Sequence, residues 1–142
     1  MAKSGFSVSQ RRKVQNITGA DPVAITAADC GTMFVITDDG TGRAGARAIS
    51  LPATAAAGNG WHCKIVLGVA QGNAGQDTVI TAPENFAARL IVANDGDGSV
   101  AIITDGGAAT LTFDASAADA AGDQVEIMVL NGSWYAFGHS NA

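Results

Sequence analysis

From residue 22 onward the chain is a succession of short apolar runs broken by Gly, Asp, Asn and Ala-Gly. In residues 61–67 the apolar set Trp61, Cys63, Ile65 and Leu67 interleaves with His62, Lys64 and Val66. In residues 124–129 Val125, Ile127 and Val129 interleave with Gln124, Glu126 and Met128. A period of two puts alternate residues on opposite faces of a strand, so each segment sends one face to a core. Comparable runs predict strands at 23–27, 32–37, 47–51, 61–69, 77–82, 87–93, 99–104, 110–114, 124–130 and 133–138. That density of short strands is the spacing of a sandwich or barrel. The expected fold is therefore all-β: an antiparallel β-sandwich or barrel, jelly-roll-like, of about ten strands.

Local chemistry sharpens parts of this picture. Asn131-Gly132 supplies the two positive-φ positions of a type I′ turn and predicts a hairpin between the last two runs. The Ala-rich stretches 52–58 and 115–121 predict single helical turns, too short to stand alone. Two runs, 33–36 and 90–92, are apolar on both faces, which a two-layer sheet leaves uncovered. Their outward residues, with Met33, Val35, Leu90 and Val92 as candidates, predict an oligomer interface. A weak echo, Ile25-Thr26-Ala27 against Ile80-Thr81-Ala82 with Gly60 against Gly122, is as consistent with chance as with two similar halves.

Residues 1–20 show no periodicity and carry Lys3, Arg11, Arg12 and Lys13 without an acid. They predict a basic, flexible arm on a domain spanning 21–142. The net charge of −5 thus divides into +4 on the arm and −9 on residues 21–142, which hold four basic residues and all 13 acids. An arm of this kind docks on acidic surfaces or strand edges, or stays solvated; a body this acidic disfavours nucleic acid.

Catalytic chemistry is poorly provided for. Two His, two Cys, one Tyr and two Glu offer few convergent titratable groups, and neither a zinc nor a redox spacing links Cys30 to Cys63. The turn-like 94–99 fails the EF-hand pattern at Val100 and Gly106, and the glycines at 40, 42 and 45 lack a P-loop ending. The expectation is no enzyme, no metal and no cofactor. Both cysteines are expected as reduced, small apolar fillers, and His62 and His139 as solvated. No run is long and apolar enough to span a membrane or serve as a secretory signal, which places synthesis in the cytoplasm.

The order of certain motifs adds a resemblance. Residues 25–36 (Ile-Thr-Ala-Ala-Asp-Cys-Gly-Thr-Met-Phe-Val-Ile), 48–53 (Ala-Ile-Ser-Leu-Pro-Ala), 122–127 (Gly-Asp-Gln-Val-Glu-Ile) and 131–135 (Asn-Gly-Ser-Trp-Tyr) resemble small β-rich virion proteins of tailed phages. The closest likeness is to capsid decoration, or cement, proteins. Cys30 stands where such sequences carry a small polar residue, and residues 1–20 match nothing in the pattern. The resemblance implies a homotrimer on the outer surface of the capsid, bridging neighbouring capsomers through the major capsid protein, with Lys3, Arg11, Arg12 and Lys13 on the arm as capsid contacts. A tail-fibre module that binds host glycans through Trp61, Trp134 or Tyr135 is the alternative. Both tryptophans begin well-alternating strands, however, and are expected as core anchors.

Overall fold

A computed structural model describes residues 12–19, 22–72, 75–93, 100–113 and 120–140, with main chain only for 88–93, 100–108 and Ser140. The arm residues Lys3 and Arg11, the Asp-rich 94–99 and most of 115–121 lie outside the described residues. So do the side chains of Leu90 and Val92.

Nine strands form one sheet: β1 Val14–Ile17, β2 Val23–Ala24, β3 Met33–Ile36, β4 Arg47–Ser50, β5 His62–Leu67, β6 Thr78–Ala93, β7 Val100–Phe113, β8 Gln124–Leu130 and β9 Ser133–Ser140. Their order is β1-β3-β5-β8-β9-β6-β4-β2, with β7 alongside β6, and the sheet curls into a nearly closed barrel. The all-β, barrel-like expectation holds. The antiparallel, jelly-roll-like part of the expectation does not: of the eight ladders among the described residues, β1/β3, β3/β5, β2/β4, β4/β6 and β6/β9 run parallel. The first six strands do not fold back as hairpins. They alternate between the β1-β3-β5 ladder and the β2-β4-β6 ladder, so each new strand lies parallel to the one before last. The β8–β9 hairpin then fills the space between β5 and β6.

Two further sequence expectations about the strands change. Residues 14–17 of the expected arm are a strand, β1, whose register is Val14 against Met33 through Ile17 against Ile36. As an edge strand it buries only Ile17, so no alternation announces it. The runs 77–82 and 87–93 merge into β6, and 99–104 and 110–114 merge into β7. The ladder between them slips between Thr81 and Phe86. Pro83, which has no N–H to donate, falls inside that slip, where a proline is tolerated.

The core is one cluster drawn from the inward parity of every long strand. It includes Phe34, Ile36, Ile49, Ile65, Leu67, Ile80, Phe86, Val125, Ile127, Val129 and Trp134. Trp61 and Trp134 meet edge to face at 5.4 Å, and Phe86 leans on Trp134 at 6.5 Å. Both indoles are paired: Trp61 donates to Ala27 O (3.1 Å) and Trp134 to Glu84 Oε2 (3.1 Å). Glu84 also accepts from the Thr54 N–H and hydroxyl, fixing the short helix α1, Thr54–Ala57, in the expected 52–58 segment. The Asn131-Gly132 turn takes φ of 50° and 74°, as a type I′ hairpin requires.

Buried charge holds the loops at one corner. Arg47, fully buried, donates to Gly19 O and to the Asp38 carboxylate, tying the loops that follow β1 and β3. Arg43 donates to Gln71 Oε1 (2.8 Å) and Gln76 O (2.6 Å), adding the loop after β5. Burial, and then the charge of Arg47, lower the Arg43 pKa.

At the opposite corner a 3₁₀ turn, Ala27–Asp29, is closed by Asp29, whose carboxylate accepts from the Thr26 N–H (2.9 Å) and hydroxyl (2.8 Å). The Thr26 N–H, the Thr26 hydroxyl and Lys13 hold the Asp29 carboxyl below its ordinary 3.8. A depressed carboxyl stabilises the fold above its unfolded pKa, and the benefit is lost as pH falls through the folded value. Asp29→Asn is therefore expected to cost about 1 kcal/mol at neutral pH. The gap to the parent in thermal melts should narrow as pH drops below 3.8; a gap constant down to acid would exclude this role.

Candidate interaction surface

The strands that send Phe34, Ile65, Ile127 and Trp134 inward must send their alternate residues outward, and the register sets those residues in rows. One row runs Val14, Met33, Lys64, Glu126, Phe137 across β1, β3, β5, β8 and β9. The next runs Asn16, Val35, Val66, Gln124, His139. A third brings His62, Met128 and Tyr135 together.

This outer face is apolar to an unusual degree for a surface. Met33, Val35, Val66, Met128 and Tyr135 are half-buried, while Val14 is 58% and Phe137 40% exposed. Tyr135 and Phe137 stack with centroids 6.4 Å apart and planes within 7°. Such a partly exposed apolar face is a candidate interaction surface. Two of the four expected interface residues, Met33 and Val35, lie on it, on the strand next to the β1 edge.

Charge is set into the apolar ground. Lys64 and Glu126 stand directly opposite on antiparallel strands, an arrangement that favours opposite signs. They border a shallow groove of about 240 Å³ whose other walls are Gln124, Phe137, Gly138 and His139. The Arg12 guanidinium reaches Glu126 Oε1 at 4.0 Å, and Lys13 Nζ lies 3.5 Å from Asp29 Oδ1. Of the four basic arm residues, these two are therefore placed against this chain's own carboxylates.

The remaining candidates fall apart as a site. His139 is exposed at the groove, whereas His62 is half-buried, with Nδ1 at 3.2 Å from Gly60 O and 4.0 Å from Cys30 Sγ. Cys63 is a core filler as expected; Cys30 is not, being exposed on the loop after the 3₁₀ turn. Burial pushes the Cys63 thiol up to about 12. A thiol reagent at pH 8 is expected to modify one cysteine per native chain and two in denaturant; two in the native protein would refute this assignment. Trp61 and Trp134 are both in the core, so an aromatic grip on a ligand would fall to Tyr135 and Phe137. Among the described residues no cluster of three His, Cys, Asp or Glu could hold a metal ion, and no helix is long and apolar enough to cross a membrane.

Sequence reasoning gave the outward parity of Lys64 and Glu126 but not their adjacency, which depends on β8 lying beside β5. The apolar double-faced run at 33–36 was the one signal of this surface in the sequence. The arrangement is that of an all-β, barrel-like protein with a broad, partly apolar outer sheet face. Comparison with protein-family models, curated proteins and solved structures finds no match.

Proposed function

We propose that this chain is a structural protein of a tailed-phage virion, a decoration protein that binds the outer surface of the capsid as a homotrimer and bridges neighbouring capsomers of the major capsid protein. The observation that carries the reading is the half-exposed apolar face over Met33, Val35 and Val66, on a sheet whose other face already fills a core. A surface built to be covered suits a protein that works by association. Repeated over a lattice, such contacts add stability without covalent bonds, by mass action and multivalency. The motifs that carry the phage resemblance fall on defining elements: the Thr26–Asp29 turn, the end of β4 and the Asn131-Gly132 hairpin.

Imaging of the particle that carries this protein tests the reading. Density in hundreds of copies over the head is expected, and a few copies confined to the tail would overturn it. In solution, sedimentation should give a trimer. Val35→Asp, which sets a charge in the middle of the apolar rows, is expected to weaken self-association at least tenfold while leaving the far-ultraviolet spectrum intact, about 1.4 kcal/mol or more. A parent protein that stays monomeric at high concentration would remove the self-association part of the proposal.

The stacked Tyr135 and Phe137 favour a second reading, a tail-fibre module that binds host glycans on aromatic faces. Glycan binding abolished by Phe137→Ala, with folding unchanged, would support it over decoration.

A further inference from the structure

The corner around Arg47 holds more positive charge than its contacts use. Arg43 and Arg47 are 6% and 0% exposed. Among the described residues one carboxylate touches both: Arg43 Nε lies 3.6 Å from Asp38 Oδ1, and Arg47 Nη2 pairs with Oδ2. In each guanidinium the same edge is spent. Arg47 turns Nε and Nη2 to Gly19 O, while Arg43 turns Nη2 to Gln71 Oε1 and Gln76 O, with Nε toward Asp38. That edge of Arg43 packs on Gly40, where a β-carbon would stand 2.6 Å from Nη2 and 3.2 Å from Nε; the close approach and a φ of 88° both require glycine. The remaining nitrogen of each, Nη1, is buried without a hydrogen-bond partner among the described residues. Thr78 stands directly across the β4–β6 ladder from Arg47, is equally buried, and has a hydroxyl in the same condition.

We propose that a chloride-sized monovalent anion binds at this corner, accepting from Nη1 of Arg43, from Nη1 of Arg47 and from the Thr78 hydroxyl. Buried polar groups are rarely left unpaired, and a buried guanidinium is among the costliest to leave so. Water would satisfy the N–H groups but not the charge. Two buried cations sharing one contacting carboxylate leave positive charge to be balanced where solvent screens it poorly. Arg47 acts on Arg43 more strongly than Asp38, Asp39 or Asp77 does, so the nearby acids do not remove that need. The donor set also fixes the size class. Three single donors suit a compact ion, whereas a tetrahedral oxyanion would bury further oxygens that need donors of their own. Gly19 lies in the connection between β1 and β2, the first and last strands of the sheet order, so the ion fastens the seam of the barrel. The inference rests on this corner and not on the virion reading.

Titration of the full-length chain with sodium chloride tests it, with sodium gluconate holding the ionic strength constant so that screening does not change. The nitrogen-15 side-chain Nε–H signals of Arg43 and Arg47 are expected to move and saturate with chloride, and that of Arg12 to stay. Stability should follow: half-saturation at about 10 mM would lower the unfolding constant about tenfold at about 100 mM chloride. Bromide should replace chloride and, in crystals, give an anomalous peak beside Nη1 of both arginines. Thr78→Val, which keeps the side chain's shape, is expected to weaken chloride binding about threefold or more. Arg43→Gln should abolish the chloride dependence. Arginine signals and an unfolding midpoint indifferent to chloride would overturn the proposal. So would a tighter grip on sulfate than on chloride, or a chloride response unchanged in both variants, which would place the ion elsewhere. None of these results bears on the particle-imaging test of the decoration reading.

Discussion

Replacing Trp134 with alanine is expected to cost the fold about 3–5 kcal/mol, measured as a lower denaturant midpoint at unchanged slope. The indole is wholly buried, with Trp61 edge-on at 5.4 Å and Phe86 at 6.5 Å, so its removal leaves a cavity that both rings border. A second loss follows from its Nε1, which donates to Glu84 at 3.1 Å. Glu84 also holds the Thr54 N–H and hydroxyl, and without the indole this half-buried carboxylate keeps only those partners. Trp134→Phe separates the two contributions. It retains most of the ring volume and forfeits the hydrogen bond, and is expected to cost about 1–3 kcal/mol. An alanine variant within about 1 kcal/mol of the parent would show that this side chain is not the centre of the core.

The second large effect is expected at the Arg47–Asp38 pair. Arg47→Ala should destabilise by about 3–5 kcal/mol, the usual result of breaking a buried pair by removing one partner. The arginine is fully buried, so its removal opens a cavity and strips Gly19 O and Asp38 of their donor. Asp38 keeps the Arg43 guanidinium, whose Nε lies 3.6 Å from Oδ1, as well as the Gly19 N–H at 3.1 Å and the Gly40 N–H at 3.2 Å, which is why the loss is bounded. The double variant Arg47→Met with Asp38→Asn removes both charges and fills the space. It is expected to recover at least half of the loss, because the penalty lies in the widowed group more than in the missing attraction. A double variant no more stable than Arg47→Ala would mean that volume alone sets the cost.

This clamp also shows what the sequence made legible. Arg47 shares the parity of Ile49 and Leu51, the inward parity of β4, so a core-facing arginine was visible in the pattern. Its partners were not, because Gly19 and Asp38 come from two loops that meet only once the parallel ladders form. The inward faces of β5 and β8 and the Asn131-Gly132 hairpin followed directly from period two and turn chemistry. β1 did not, because an edge strand that buries a single residue has no period to show. The merging of 77–82 with 87–93 was hidden by Pro83, a residue that ends most strands and here sits in a slip of the ladder. For the outer face the sequence supplied Met33 and Val35; it could not supply Val66, Phe137 and Glu126 as their neighbours, since strand order is not written in any local pattern.

The place of β8 and β9 has a consequence for how the molecule comes to be made. These two strands follow all the others in chain order, yet they lie between β5 and β6 and join the two ladders. During synthesis on the ribosome the earlier ladders emerge with their joining edges unpaired, and a nascent chain halted before residue 124 has no means of closing its sheet. Completion therefore waits for the hairpin. Until it arrives, the bare edges of β5 and β6 are open to pairing with the same edges of another unfinished copy.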